Sequence, residues 1–585
     1  NHVGTIGVGD LDAWTFTATQ GEYVVLAIGE TAGSADFTPW IRLFAPSGAL
    51  VGNNWGVAAG QIAVNSPATG TYLVVVSTND PGTDDTGNYT LTLVKGNATP
   101  ITPPGDQGGA LTNGANHTGT ITVGDLDTFT FTANAGEGIV LAVGEVSGTA
   151  DFTPWIRLIT PAGALNGSSS SVAAAQLAIN AASTGTYQVI ITTNDPGNDA
   201  TGSYTLTLAK GPGTFTISPG DQGGAATNGG NNIGSIFVGD LDVWTFTANQ
   251  GLPFAVNIGE VTGSANFTPW IRVLSPNGAF IGNSSGVAAA QFSAIAPLTG
   301  QYTIIISTND AGNDDTGDYR LIVQKPGAFV TPPGDEGGTM TNGAIHTGTI
   351  VTGDLDRWVF AANPNETIAL SVAEVTGNDF SPWIRLVSPS GVVVGNASST
   401  LVSQINVTAQ ESGNYTVAIS SNDPGVDGTG TYTLTLAKAP GSFIVSPGDQ
   451  GGAIHNGTQT GSIAIGDLDM WSVTATQGSP IMLTMTETSG TADFAPWLRL
   501  VSPTGAVIGN NFGPTSATVN VSAPTTGTYT IILGTGDSGA DATGSYSLSV
   551  SGVNLAPRPS MIPVIGQLNA FMSRRPTSYG PEGTR

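Results

Sequence analysis

Short alternations of apolar and polar residues, separated by turn-forming residues, run through the whole chain. Residues 14–17 read Trp-Thr-Phe-Thr, and residues 89–93 read Tyr-Thr-Leu-Thr-Leu. A run such as Tyr23–Ile28 is apolar throughout, and turn signals such as Pro46-Ser47-Gly48 lie between the runs. Period-two runs of this length, without a helical period, predict short antiparallel strands packed as a β-sandwich.

The whole pattern occurs five times, with a period of 113 to 115 residues, as the spacing of an Asp-Leu-Asp landmark shows. A second landmark, Pro-Trp-(Ile/Leu)-Arg, follows it in every copy. Such a period predicts a tandem array of units that each bury a core. The predicted domains are residues 1–96, with the first strand possibly missing, 105–211, 220–326, 334–439 and 448–552, followed by a C-terminal tail at 553–585.

The order of motifs in each copy resembles bacterial pre-peptidase C-terminal domains. In the first copy the motifs are residues 9–14, 36–48, 69–72 and 89–91, and the resemblance covers all five copies up to residue 552. It implies a jelly-roll-like β-sandwich, usually a non-catalytic module appended to a secreted enzyme or surface protein. Here no catalytic domain accompanies the modules. The expected fold is therefore all-β, with five tandem antiparallel jelly-roll-like β-sandwich domains in an elongated array and an extended C-terminal tail.

Composition excludes several kinds of partner and site. Only 10% of residues are charged, yet the net charge is −27, which disfavours nucleic acid because phosphate binding needs a basic face. Cysteine is absent, and no run of 18 apolar residues exists to predict a transmembrane segment. A disulfide-free, lysine-poor chain rich in Gly, Thr and Asn suits an extracellular or cell-surface location. Asn1 is then expected to follow signal-peptide removal.

Catalytic residues are not evident. The four histidines, His2, His117, His346 and His455, have no nearby serine or acidic motif that would make a triad. We therefore expect a protein that is not an enzyme.

A recurring pair of aspartates raises the possibility of calcium. Each pair lies in a turn rich in Asp, Asn and Gly, which offers the hard oxygen ligands that calcium prefers. The same residues also favour plain turns through local backbone hydrogen bonds, and we favour that interpretation. The pairs are Asp80 and Asp84, Asp195 and Asp199, Asp310 and Asp314, Asp423 and Asp427, and Asp537 and Asp541.

A Trp/Arg column follows from strand alternation. Ile41 and Leu43 are expected to face the core, which places Trp40 and Arg42 together on the opposite face. The column would form a packing or subunit contact, which we favour, or a platform for glycans. Glu30 is expected to pair with Arg42 across antiparallel strands. The column is Trp40, Arg42, Trp155, Arg157, Trp270, Arg272, Trp383, Arg385, Trp497 and Arg499; the partners expected for the later arginines are Glu145, Glu260, Glu374 and Glu487.

The two ends of the chain differ from its interior. The tail carries four arginines and one glutamate, a net charge of 4 − 1 = +3, and its apolar residues have no domain of their own. A basic, apolar tail is expected to seek an acidic surface. The first copy lacks the segment that precedes the others, so its sheet would have an open edge. The expected subunit interface is Asn1, His2, Val3, Met561, Ile562, Val564, Ile565, Leu568, Phe571, Arg574 and Arg575.

These features suggest two hypotheses from different classes. In the first, the chain is a structural subunit of an extracellular filament or surface fibre, a head-to-tail homopolymer in which the tail adds a strand to the next subunit's first domain. In the second, it is a monomeric cell-surface adhesin or glycan-binding array that uses the Trp/Arg column.

Overall fold

The computed structural model describes residues 2–553, except residues 81, 83, 97, 196, 311, 328, 424 and 538. Among the described residues, the chain forms 44 β-strands and no helix. The predicted all-β class is therefore confirmed.

The strands recur in the same order in all five repeats. The first repeat contains β1 (His2–Ile6), β2 (Asp12–Ala18), β3 (Tyr23–Gly33), β4 (Pro39–Phe44), β5 (Leu50–Trp55), β6 (Ala59–Asn65), β7 (Gly70–Thr78) and β8 (Gly87–Lys95). The second contains β9 (Gly108–Ala110), β10 (Asn116–Ile121), β11 (Asp127–Ala133), β12 (Gly138–Gly148), β13 (Pro154–Ile159), β14 (Leu165–Ser170), β15 (Ala174–Asn180), β16 (Gly185–Thr193) and β17 (Gly202–Lys210).

The remaining repeats keep the plan of the second. The third contains β18 (Gly223–Ala225), β19 (Asn232–Ile236), β20 (Asp242–Ala248), β21 (Pro253–Gly263), β22 (Pro269–Leu274), β23 (Phe280–Ser285), β24 (Ala289–Ile295), β25 (Gly300–Thr308) and β26 (Gly317–Gln324). The fourth contains β27 (Gly337–Thr339), β28 (Ile345–Ile350), β29 (Asp356–Ala362), β30 (Thr367–Asn378), β31 (Pro382–Val387), β32 (Val393–Ser398), β33 (Val402–Thr408), β34 (Gly413–Ser421) and β35 (Thr429–Ala439). The fifth contains β36 (Gly451–Ala453), β37 (Gly457–Ile463), β38 (Asp469–Ala475), β39 (Pro480–Gly490), β40 (Pro496–Val501), β41 (Val507–Phe512), β42 (Ser516–Ser522), β43 (Gly527–Thr535) and β44 (Gly544–Ser551).

Each repeat has two sheets, between which the chain passes back and forth. In the first repeat, one sheet has the order β2-β7-β4-β5 and the other has the order β1-β8-β3-β6. We call the first the front sheet and the second the back sheet, and we use the same names for their counterparts. In repeats two to five, a three-residue strand such as β9 joins the edge of the front sheet and pairs in parallel with β11.

A buried tyrosine joins the two sheets of each repeat. In the first repeat the hydroxyl of Tyr89, on β8, donates to Asp12 Oδ2 at 2.7 Å and accepts from Trp14 Nε1 at 2.9 Å. Ile41 and Leu43 of β4 are fully buried between the sheets, as alternation predicts. The core of a repeat is therefore formed where the two sheets face each other.

Successive repeats also pack on one another. The back sheet of the first repeat contributes Val25 and Ala27 to an apolar cluster with Leu126, Ile159 and Ile190 from the front sheet of the second. Equivalent clusters join repeats two and three, three and four, and four and five. Both faces of strands such as β3 are covered, which explains why Tyr23–Ile28 is apolar throughout.

The prediction of five jelly-roll-like β-sandwich domains was therefore wrong. The chain forms a β-solenoid of about 18 turns. Its sheets stack from one repeat to the next through the apolar clusters at the four junctions. Parallel pairing at β9, β18, β27 and β36 also departs from a purely antiparallel arrangement. Alternation within a strand predicts one buried face, but it cannot tell that a neighbouring repeat covers the other.

Topology corrects a smaller prediction as well. Glu30 cannot form a cross-strand pair with Arg42, because β3 belongs to the back sheet and β4 to the front sheet. The same separation applies to the counterparts in the other repeats, Glu145 and Arg157, Glu260 and Arg272, Glu374 and Arg385, and Glu487 and Arg499.

The first strand was expected to be missing from repeat one. Repeats two to five each begin with a three-residue strand such as β9, and among the described residues repeat one has no counterpart of it. β1 pairs with β8 from His2 to Ile6, and Val3 lies exposed on it. The element that the other repeats have in addition is the short parallel strand beside β2. The remaining residues of the expected subunit interface lie outside the described residues: Asn1, Met561, Ile562, Val564, Ile565, Leu568, Phe571, Arg574 and Arg575.

Candidate functional site

Repeats two to five each bring three aspartates together. Asp125 and Asp127 flank Leu126 where β11 begins, and Asp106 precedes β9. Because β9 pairs in parallel with β11, from Gly108 opposite Thr128, the linker carboxylate lies beside the other two. One oxygen from each carboxylate lies within 4.8 Å of the other two. The corresponding groups, which we call the aspartate triads, are Asp106, Asp125 and Asp127; Asp221, Asp240 and Asp242; Asp335, Asp354 and Asp356; and Asp449, Asp467 and Asp469.

The innermost aspartate of a triad is fully buried. Asp127 Oδ2 accepts a hydrogen bond from the Tyr204 hydroxyl at 2.6 Å, whereas Asp127 Oδ1 is buried without a hydrogen-bond partner among the described residues. The same oxygen of Asp356 and of Asp469 also lacks a partner there. In the third repeat, Asp242 Oδ1 accepts from the Gln222 amide at 3.3 Å. A buried carboxylate oxygen left unpaired is costly, so a proton or a cation shared with the neighbouring carboxylates would be favourable there.

The electrostatics lead to the same conclusion. Burial, with a further contribution from the neighbouring carboxylates, raises the pKa of Asp127 to about 8 and that of Asp469 to about 9. Burial likewise raises the pKa of Asp356 to about 10. Three carboxylates this close repel one another unless a proton or a cation lies between them. Their oxygens are the ligands that calcium takes, so each triad could hold a divalent cation.

The aspartate pairs predicted from the sequence do come together, but their oxygens are largely engaged. Asp80 Oδ2 accepts from the amides of Gly82 and Asp84, both at 3.1 Å, and Oδ1 accepts from Thr78 Oγ1 at 2.5 Å. The first aspartate of every other pair, Asp195, Asp310, Asp423 or Asp537, accepts the same two amides. These bonds close a turn, which is one reason for aspartate at this position. Among the described residues, the first loop alone adds a third carboxylate, Asp85, within 4.8 Å.

The Trp/Arg column lies where one repeat meets the previous one. The guanidinium carbon of Arg157 lies 3.4 Å from the ring centroid of Trp155, and the side chain is fully buried. Its Nη2 donates to Gln61 Oε1 of the first repeat. In the next repeat, Arg272 Nη2 donates to Gln176 Oε1 at 2.6 Å. Arg385 and Arg499 reach the preceding repeat through Ser293 Oγ and Asn406 Oδ1. In the first repeat, Arg42 donates instead to Ser77 within its own sheet.

Sequence reasoning missed the aspartate triads as candidate metal ligands. The signal was present, because a Pro-Gly-Asp linker precedes Asp-Leu-Asp in the same four copies and in no other. What the sequence did not reveal was the parallel strand that brings these two motifs into contact.

No family model matches the chain, and no curated protein matches it either. Among solved structures, the chain is similar to the pre-peptidase C-terminal domain of a Bacillus anthracis collagenase, the kind of domain that its motifs resemble. That match has 20% identity, a TM-score of 0.15, and covers 17% of this chain and 95% of the other.

Two further structures are similar to a comparable degree. One is PliG, a periplasmic inhibitor of g-type lysozyme from Aeromonas hydrophila, with 22% identity, a TM-score of 0.15, and coverage of 18% of this chain and 98% of that one. The other is CorA, a surface-associated copper-binding protein of Methylomicrobium album BG8, with 10% identity, a TM-score of 0.14, and coverage of 18% and 98%. At such TM-scores these likenesses indicate nothing about what this chain binds. Separately, the described residues include no helix suited to crossing a membrane.

Proposed function

We propose that this chain is a structural subunit of an extracellular filament or cell-surface fibre that polymerises head to tail. The observation that supports this most is a pair of complementary sheet faces. The front sheet of repeat one and the back sheet of repeat five are the two halves of an interface that the chain forms four times internally. A heterologous contact of this kind extends into an open polymer unless it closes into a ring. The proposal assigns the chain no catalytic activity.

Exposure distinguishes these two faces from their internal counterparts. Leu11, on the front sheet side of repeat one, is 61% exposed, whereas the same leucine is 1% to 5% exposed in the other four repeats. Met482, on the back sheet of repeat five, is 39% exposed, whereas Val25, Val140, Ala255 and Ala369 at the same position are at most 4% exposed. Each face thus carries an apolar residue whose equivalents are covered by another repeat.

The edge of β2 offers a second contact to the same partner. In the other four repeats, a Gly-Gly-Ala or Gly-Gly-Thr strand pairs in parallel with the counterpart of β2. Within the described residues, β2 is the edge strand of its sheet. We propose that residues 554–585 of a neighbouring subunit supply this strand, since residues 580–584 read Gly-Pro-Glu-Gly-Thr and loosely match Gly-Asp-Glu-Gly-Gly-Thr at residues 334–339.

We further propose that the aspartate triads bind calcium and thereby hold each linker against the repeat that follows it. The unpartnered buried oxygens of Asp127, Asp356 and Asp469 support this assignment. Calcium would neutralise carboxylates that otherwise repel one another, and it would stiffen the array along its length.

Assembly can be tested with the full chain in calcium-containing buffer. Light scattering coupled to size-exclusion chromatography, with electron microscopy of the same fractions, should reveal linear oligomers that grow with concentration. Leu11→Glu places a charge in the proposed contact and should shift the population to monomers. Removing residues 554–585 should also reduce oligomer length, which separates the strand contact from the stacking contact.

A matched control is available in the second repeat. Val146 is 65% exposed and lies away from both terminal faces, so Val146→Glu should leave assembly unchanged. A wild-type chain that stays monomeric at all soluble concentrations would contradict the proposal. So would equal assembly of wild type and Leu11→Glu.

A further inference from the structure

The junction between repeats three and four is packed differently from the other three. Its buried apolar cluster consists of Ile322, Leu355 and Ala418, whereas each of the other junctions has a larger one. Beside it lies a cleft of about 910 Å³, within the size range of small-molecule sites. Residues from both repeats line this cleft, including Phe254, Ile295 and Trp383.

Two substitutions within the repeat pattern open the cleft. Ala418 occupies a position that is Val75 in repeat one and Ile190, Ile305 and Ile532 in repeats two, three and five, so the fourth repeat lacks most of that side chain. Pro253 occupies the position of Tyr23, whose amide donates to Gly163 O of the next repeat at 2.8 Å.

Proline has no N–H group, so this backbone link cannot form between repeats three and four. At the two other junctions, Gly138 N donates to Gly278 O at 2.7 Å, and Thr367 Oγ1 donates to Gly505 O at 2.9 Å. The hairpin turn at Gly391 lies against the side chains of Leu252 and Pro326.

A third substitution gives the cleft its charge. Arg357 stands where the other repeats have Ala13, Thr128, Val243 and Met470, and it is 6% exposed. Its guanidinium carbon lies 3.9 Å from the ring centroid of Phe329.

Only some N–H groups of the Arg357 guanidinium have a hydrogen-bond partner among the described residues. Nη2 donates to Gly327 O and to Thr416 Oγ1, both at 3.1 Å, while Nε and Nη1 are buried without partners among the described residues. Arg385 Nη2, in the same cleft, also lacks one. Buried N–H groups without a partner occur on Arg157 and Arg272 too, but neither of those side chains lines the cleft.

The lining is cationic and apolar at once. Lys325, Arg357 and Arg385 line the cleft, and no Asp or Glu is among the described residues that do so. This is unusual on a chain with a net charge of −27. Guanidinium groups match planar carboxylates through paired hydrogen bonds, and the remaining wall suits an apolar body.

We propose that the cleft between repeats three and four binds an organic carboxylate with an aromatic or aliphatic body. The carboxylate would accept hydrogen bonds from Arg357 and Arg385, and the apolar body would lie against Phe254, Ile295 and Val387. This proposal is independent of fibre formation, because the cleft lies inside a single chain.

Isothermal titration calorimetry of the full chain with 2-naphthoate tests the proposal, and decanoate is a second probe. Two comparison compounds each lack one feature: 2-naphthalenemethanol has no carboxylate, and acetate has no large apolar body. The wild type should bind at least one of the two acids, while the neutral analogue and acetate bind at least about tenfold more weakly. Arg357→Met, which installs the residue of repeat five, should weaken binding by about tenfold or more.

A second variant tests whether weaker binding could result from loss of folding instead of loss of the site. Ala418→Ile installs the residue of the neighbouring repeats and keeps both arginines, but it fills the cleft beside Arg357 and Arg385, which are its cross-strand neighbours on β29 and β31. It should weaken binding while raising the melting temperature. Arg499→Met is the control, because Arg499 holds the position of Arg385 at the next junction, and it should leave affinity unchanged. Equal binding of the neutral analogue, full binding by Ala418→Ile, or no binding of either acid to the wild type would overturn the proposal.

Discussion

At the scale of single residues, the same position in different repeats carries different chemistry. Asp127 and its three counterparts are buried close to other carboxylates, whereas Asp12 in the first repeat has no linker aspartate beside it among the described residues. The negative charge of these inner aspartates costs free energy only in the folded chain, since burial removes water from the carboxylate. A bound cation would remove that cost.

The first prediction concerns this charge. Adding calcium to the chelated wild type should raise its melting temperature, since a ligand at a hundred times its Kd adds about 2.7 kcal/mol per site to the free energy of unfolding. Replacing all four inner aspartates with asparagine should abolish the rise, as scanning fluorimetry with calcium or EDTA would show. In EDTA, the variant should melt no lower than wild type, because the amides carry no charge to bury. The substituted residues are Asp127, Asp242, Asp356 and Asp469.

A paired substitution controls for loss of acidic charge in general. Asp199→Asn removes a carboxylate from one of the turn loops, outside the triads, and should retain the full response to calcium. A wild type whose melting temperature is identical in calcium and EDTA would contradict the cation assignment.

At the scale of elements, the three-residue parallel strand decides whether a triad forms. Gly108 on β9 has a φ of +154°, and a Cβ there would come 2.5 Å from Thr128 O on the paired strand. Neighbouring Gly109 has a φ of +104°, but a Cβ there would meet nothing within 4 Å. Both glycines therefore adopt a backbone conformation that other residues avoid, yet only Gly108 lies against its partner strand.

The second prediction uses this pair of glycines. Gly108→Ala should detach β9 from β11 and separate Asp106 from Asp127, so amide hydrogen exchange in β11 should accelerate. Gly109→Ala incurs a similar backbone strain, roughly 1–3 kcal/mol, without the clash. It should leave β9 paired, and exchange in β11 should stay close to that of wild type. Equal acceleration in both variants would mean that strain alone controls the strand.

At the scale of the whole molecule, each repeat packs against the repeats next to it, and the four junctions differ in how much apolar contact they bury. Stability in such arrays is close to a sum of repeat stabilities and nearest-neighbour terms. The junction between repeats three and four buries Ile322, Leu355 and Ala418, and Arg320 forms an ion pair with Asp354 across it at 3.8 Å. The Asp354 carboxylate is buried, so the cost of removing it from water offsets the attraction, and the pair adds less stability than the larger apolar clusters at the other junctions.

The third prediction follows from this uneven coupling. Calorimetric unfolding of the chelated wild type should show at least two transitions, because repeats one to three and repeats four and five are weakly joined. Ala418→Ile should bring the transitions closer together by adding roughly 1–3 kcal/mol of burial across the junction.

The opposite substitution, from isoleucine to alanine at another junction, is the comparison for Ala418→Ile. Ile305→Ala, at the equivalent position in repeat three, should create a new weak junction between repeats two and three at a cost of about 2–5 kcal/mol. A single transition in the wild type that Ala418→Ile does not alter would contradict the uneven coupling.

The sequence by itself determined the repeat, the strands and much of the core. Alternation placed Ile41 and Leu43 inside, and the turn-forming residues around Asp80 placed it in a turn, because both outcomes depend on local backbone geometry. The separation of Glu30 from Arg42 could not be inferred from the sequence, since the consecutive strands β3 and β4 belong to different sheets.

Only the tertiary structure decided how the repeats relate to one another. It replaced separate sandwich domains with a continuous stack, brought Asp106 beside Asp127, and opened a cleft where Ala418 and Pro253 interrupt the pattern. Each of these depends on contacts between residues far apart in the chain. The local sequence pattern predicts which face of a strand is apolar, but packing between repeats determines what covers that face.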